Sequence, residues 1–236
     1  LEISIEQRRL LGEFEPALQN DEFVMYLQPQ VKRDGAAKGA EALVRWVHPS
    51  RGILTPYAFI DILENAGLIY KLDLYIWEKA AQKLAEWKEK GYGSYHISVN
   101  ISTKDFYIID IYETFTGLIN KYGIAASNLH LEITETTLMT DFEKNMNIIH
   151  KLQGVGFRVE IDDFGSGYSS LNMLKDISAD VLKIDMGFLR KSENEVKGQD
   201  ILESIITLAG KIGMDVITEG VETKKQLDML TMMGCH

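Results

Sequence analysis

Val159-Glu160-Ile161-Asp162-Asp163-Phe164-Gly165-Ser166-Gly167-Tyr168-Ser169-Ser170 is a short apolar run that ends in two adjacent carboxylates and then breaks into a loop of glycines and serines. It reads as a buried strand that delivers charge to its own carboxyl end, with a short helix starting at about Ser169. Two neighbouring acids repel each other, so the pair must be solvated, partly protonated or bound to a metal.

Outward from this strand the pattern repeats. Upstream lie a strand ending LHLEITE at Glu135 and a helix to about Gly154, and before them the strand YHISVNIS (Tyr95 to Ser102) and a helix to about Tyr122. Downstream come ADVLKID (Ala179 to Asp185), a helix over about Gly198 to Ile212, the strand MDVITEG and a last helix from Thr223. The first part of the chain has a leading helix over residues 1–20, with Leu10, Leu11, Phe14 and Leu18 at helical spacing, and the strand FVMYLQPQV (Phe23 to Val31). There follow a strand over Gly39 to Val47, a turn at His48 to Gly52, a helix beginning at Thr55-Pro56, and a helix from Lys71 to Lys90 that Gly91 ends.

Strand followed by helix, over and over, predicts an α/β fold with parallel strands and helical crossovers. The number of units and the apolar strands favour a closed barrel of the triosephosphate isomerase, (β/α)8, type. Seven strands are countable and an eighth is needed to close the ring, so the last strand and helix are expected to lie outside this sequence. A first residue that is not Met agrees with a single domain, residues 1–236, excised from a longer protein.

With 236 residues, 45% of them apolar, the chain can bury one large core. Its net charge of −10 speaks against general affinity for DNA, since attraction to a phosphate backbone needs basic surface. An anionic substrate would need metal ions or a few placed cations. A lone cysteine, Cys235, fits a reducing, cytoplasmic setting, and no apolar stretch is long enough to cross a bilayer.

The polar residues fall where strands end. With period-two spacing Glu41 shares a face with Arg45, Asn100 with Ser98 and Ser102, Glu132 with Thr134, Asp162 with Glu160, Lys183 with Asp185, and Glu219 with Ile217. Singly, each would read as a helix cap, a turn former or a surface charge. Together, converging carboxylates, an amide and a lysine at one barrel mouth suit a pair of oxygen-seeking divalent ions, with Asp162 between them and Asp163 completing the second. The histidines show no ligand spacing for zinc, and none stands in a nucleophile motif beside the loop serines.

Glu41-Ala42-Leu43 followed by Val44-Arg45-Trp46 resembles the signature that names the EAL domains, bacterial phosphodiesterases that linearise cyclic di-GMP. The resemblance extends through Gln28-Pro29, Val99-Asn100-Ile101-Ser102, Leu131-Glu132-Ile133-Thr134-Glu135, the Asp162-Asp163 loop to Ser170, Lys183-Ile184-Asp185 and Glu219-Gly220-Val221-Glu222.

It implies a modified (β/α)8-type TIM barrel whose first strand is antiparallel. It implies that Glu41, Asn100, Glu132 and Asp162 hold one Mg2+ or Mn2+ and that Asp162, Asp163 and Glu219 serve a second. Lys183 would lie beside the attacking water, with Glu219 also counted as catalytic; Gln28, Arg45, Asp185 and Glu222 would face the substrate, and Glu135 would anchor the double-aspartate loop. The implied product is the linear dinucleotide pGpG. The resemblance further implies a homodimer and an upstream sensory or cyclase domain.

Lys183 is expected to change role with metal occupancy, because carboxylates favour its charged form and bound cations disfavour it. A second reading is a receptor that binds cyclic di-GMP without turning it over. A third is a Schiff-base aldolase using Lys183.

Overall fold

A computed structural model describes residues 4–164, 177–185 and 195–235. The loop from Gly165 to Ser170 and the helix expected from Ser169 lie outside the described residues. The chain packs as two compact units, the first formed by Leu1–Gln30 with Gly39–Leu129 and the second by Val31–Lys38 with His130–His236.

In the first unit, helix α1 (Ile5–Gln19) opens with a reciprocal cap: Ser4 Oγ accepts from the Gln7 N–H, and Gln7 Oε1 accepts from the Ser4 N–H. Its buried side chains, Leu10, Phe14 and Ala17, recur at helical spacing. Strands β1 (Phe23–Val31) and β2 (Ala37–His48) run antiparallel. The Val47 N–H donates to Glu22 O at one end of the pair, and the turn between the strands, which counts with the second unit, is closed by the Lys32 N–H donating to Ala36 O.

Phe23 gathers Phe14, Trp46 and Phe59 around it, with ring centroids 5.7, 4.7 and 5.7 Å away. These aromatic contacts, each worth roughly 1 kcal/mol beyond burial, fix the hairpin under α1.

Strand β3 (Gly52–Leu54) folds back on β2, pairing His48 with Gly52 through Trp46 with Leu54. It is one strand more than the sequence suggests there, because the apolar stretch is three residues long and hides behind the turn. Thr55-Pro56 starts only a 3-10 turn (Pro56–Ala58), with no side-chain cap bond, ahead of α2 (Ile60–Asn65).

Helix α3 (Ile69–Glu89) buries Leu72, Ile76, Trp77, Ala80 and Leu84 along one stripe. Strand β4 (His96–Ile101) pairs parallel with β2, Gly39 opposite His96 and Glu41 opposite Ser98. The helix expected up to Tyr122 is two, α4 (Asp105–Ile108) and α5 (Ile111–Tyr122). Asp110 breaks them apart by capping α5, its carboxylate accepting from the Glu113 N–H at 3.0 Å.

In the second unit β5 (Leu129–Thr134), β6 (Arg158–Asp162), β7 (Val181–Asp185) and β8 (Asp215–Glu219) are parallel neighbours in that order. The expected helix after β5 is again divided at Asp141, into α6 (Glu135–Thr140) and α7 (Phe142–Val155). Gly156, at φ 109°, then turns the chain into β6, a conformation that favours glycine. Helices α8 (Glu195–Lys211) and α9 (Lys224–Met232) flank β8 in sequence.

Candidate functional site

The register of the second unit builds a charged cluster. Thr134 stands opposite Asp162, Lys183 opposite Ile217, and Asp185 opposite Glu219, so the polar ends of four parallel strands are staggered along one edge. Lys183 Nζ is 2.7 Å from Glu219 Oε1 and 3.4 Å from Asp162 Oδ1, and it donates to Glu132 Oε1. The Lys183 and Glu132 side chains are fully buried, Asp162 is half-buried, and Glu219 opens to solvent. Strand β6 lies between β5 and β7, so a lysine on β7 reaching a glutamate on β5 places both on the same face of the sheet.

Asp163 leaves the strand in the left-handed region, φ 55°, where few residues other than glycine sit. That turn carries its side chain off the alternation of β6. Desolvation, followed by the charges of Asp162, Glu219 and Asp185, pushes its carboxyl above the ordinary range. Like charges are crowded together at this edge, which is the condition a cation relieves.

The donor set tests the metal expectation directly. Three carboxylates contact one ammonium, and a fourth, Asp163, is raised first by burial and then by its acidic neighbours. All are hard oxygen donors, which fit Mg2+ or Mn2+ better than zinc.

Two other residues expected here stand farther along the chain. Glu135 occupies the first turn of α6, behind Thr134, whose hydroxyl accepts from the Thr137 N–H. The loop it was expected to anchor lies outside the described residues. Glu222 is exposed ahead of α9, its N–H donating to Gln226 Oε1 at 2.8 Å.

The first unit carries the remaining candidates. Gln28 is exposed on β1 and Asn100 is exposed near the end of β4, whereas Glu41 and Arg45 are half-buried on β2. Arg45 lies over the Tyr26 ring, 5.5 Å from its centroid, and its Nη1 donates to Val44 O at 2.8 Å. The Asn100 carbonyl accepts from Trp77 Nε1 at 2.9 Å, a hold that the motif pattern gave no means of finding. Among the described residues no helix is long and apolar enough to cross a membrane.

The chain has counterparts among known proteins. The family model for the EAL domain matches residues 12–236, and the chain belongs to that family. It is 34% identical over 232 residues to the bifunctional diguanylate cyclase/cyclic di-GMP phosphodiesterase MucR of Pseudomonas aeruginosa, covering 98% of this chain and 34% of that protein. It is 32% identical over 220 residues to the cyclic di-GMP phosphodiesterase PdeR of Escherichia coli, covering 93% of this chain and 33% of that protein. The chain thus spans about a third of the length of these relatives.

Among solved structures, the PaMucR phosphodiesterase in complex with c-di-GMP matches with a TM-score of 0.90 at 34% identity, over 97% of this chain and 93% of that one. The EAL enzyme Bd1971, in its cAMP- and cyclic-di-GMP-bound form, matches with a TM-score of 0.90 at 30% identity, over 98% of this chain and 64% of that one. The fold class expected from the sequence, a modified TIM-type α/β barrel with an antiparallel first strand pair, is the class of these domains.

Proposed function

We propose that the chain is an EAL-type domain that hydrolyses cyclic di-GMP to linear pGpG with the help of two divalent cations, Mg2+ or Mn2+. The observation that carries this reading is Lys183, buried and in contact with Glu132, Asp162 and Glu219 at the carboxyl ends of parallel strands. A phosphodiester is slow to hydrolyse unaided, and an enzyme must remove something like 15 to 23 kcal/mol of barrier. Positioning supplies roughly 7 to 11 kcal/mol of that, so the remainder is electrostatic.

Glu41, Asn100, Glu132 and Asp162 would hold one cation, and Asp162, Asp163 and Glu219 the other. When bound, the cations would acidify water and neutralise phosphate charge. Lys183 would keep an N–H pointed at the nucleophile's position, its orientation fixed by Glu132 and Glu219. Arg45, steadied by Tyr26, would offer a planar fork to a phosphate, while Gln28, Asp185 and Glu222 would face the dinucleotide. Glu135 would restrain the loop after Asp163. In this reading the protein is a homodimer working in the cytoplasm under an attached sensory or cyclase domain.

The test is incubation with cyclic di-GMP and Mg2+ or Mn2+, following pGpG by chromatography beside Glu41→Ala. Metal-dependent product in the parent protein alone supports the reading. Tight binding without product would make the domain a cyclic di-GMP receptor, and neither binding nor product would overturn the substrate.

A further inference from the structure

In the first unit the end of β4 is held from two sides. Trp77 on α3 donates to the carbonyl of Asn100 at 2.9 Å. Asp105, at the head of α4, accepts through Oδ2 from both the N–H and the hydroxyl of Ser102, each at 2.8 Å. The Asp105 residue is fully buried. Its second oxygen, Oδ1, is buried, as is Oδ2 of Asp73 on α3, and neither meets a donor among the described residues. Burial raises both carboxyls, and each also feels the side chain of the other.

Two bare carboxylates in a buried contact repel strongly and leave acceptors unsatisfied. One proton between them removes both problems: it supplies the missing donor and halves the charge. We propose that Asp73 and Asp105 share a single proton, Asp73 as the acid and Asp105 as the carboxylate, and that this pair positions Asn100 for its metal role.

The assignment follows the partners. Burial raises both carboxyls, but Asp105 accepts two hydrogen bonds from Ser102 through Oδ2, which favour its charged form, whereas the Asp105 charge pushes Asp73 further up. Glu64 on α2 faces the pair and adds negative charge, Lys104 at the head of α4 faces Glu64, Ser102 represents β4, and α5 presents the apolar ring of Phe115 to Trp77. Loss of the shared proton puts a second charge into this enclosure and pulls Asp105 off Ser102, two residues from Asn100. Neither acid touches reacting atoms; both are positioning residues, and supporting partners of this kind commonly govern ligand geometry. This rests on the metal role proposed above for Asn100.

The experiment combines carboxyl-carbon NMR titration of aspartate-labelled protein with Mg2+ calorimetry, for the parent, Asp73→Asn and Asp73→Ala, at neutral and alkaline pH. The parent should show an aspartate that titrates far above the ordinary range, missing in both variants, and should lose Mg2+ affinity at alkaline pH. Asp73→Asn, a permanent donor to Asp105, should keep the neutral affinity and lack the alkaline loss. Asp73→Ala should bind Mg2+ roughly tenfold more weakly at both.

An ordinary titration of Asp73, or Asp73→Asn binding as poorly as Asp73→Ala, would overturn the proposal, and the NMR result decides it even where Asp73→Ala fails to fold. The expected pattern in a protein that leaves cyclic di-GMP intact would sink the catalytic reading and support the proton-sharing pair.

Discussion

His130 Nδ1 lies 2.6 Å from Glu160 Oε1 across the β5 and β6 strand pair, and both side chains are buried. Glu160 stands in register with Glu132, so a second acid faces inward one layer from the Lys183 cluster, held by histidine instead of lysine. Removing one member of a buried polar pair is costly because the other keeps its desolvation. His130→Ala should therefore destabilise the protein by about 3 kcal/mol in urea titration. His130→Gln, which retains a hydrogen-bonding end, should recover part of the loss.

Lys183 supplies the positive charge that Glu132, Asp162 and Glu219 share. Lys183→Met should lower metal-free stability by about 3 kcal/mol or more, because Glu132 stays buried and charged. Added Mg2+ should restore more stability to this variant than to the parent, read as a shift in melting temperature. Equal shifts in the two proteins would show that the carboxylates are no cation site.

Gly39 is a glycine for want of room. A Cβ there would sit 2.5 Å from three atoms of the His96 ring, which is buried and bonded to Gln30 Oε1 at 2.7 Å. The ring has little freedom to move away. Gly39→Ala should cost about 1 to 3 kcal/mol by strain, measured by chemical denaturation, and pairing it with His96→Ala should remove most of that strain penalty.

Asp73 gives stability a definite pH dependence. Its carboxyl titrates higher in the folded chain than in the unfolded one, by burial first and by Asp105 second. The folded state therefore binds the extra proton, and this contribution is fully present below the unfolded aspartate range, near pH 3.9, and falls as pH rises through the raised value. Asp73→Asn should flatten that alkaline decline in a series of melts. A decline of equal slope in the variant would place the responsible group elsewhere.

Much of this is legible in the sequence. The alternation of strands and helices follows from hydrophobic periodicity, and Glu132, Asp162, Lys183 and Glu219 could be assigned to strand ends because strand side chains alternate with period two. The breaks at Asp110 and Asp141 are less visible, since apolar spacing continues across them; a cap bond from Asp110 to Glu113 starts the helix after the first, while Asp141 leaves the helical backbone with no side-chain cap bond. Strand β3 has no signature in the sequence because three residues carry no period.

What the sequence by itself determined is the order of strands and helices and the identity of the groups at the strand ends, both local properties of the chain. Only the tertiary structure decided which groups touch. Lys183 meets Glu132 from 51 positions away, and His130 meets Glu160 from 30. Asp73 and Asp105 act on one another because α3 packs against α4 as well as β4. Asp163 turns through a positive φ that its residue type allows but does not require. Contacts of this kind depend on register and packing, and burial then sets how strongly each charge is felt.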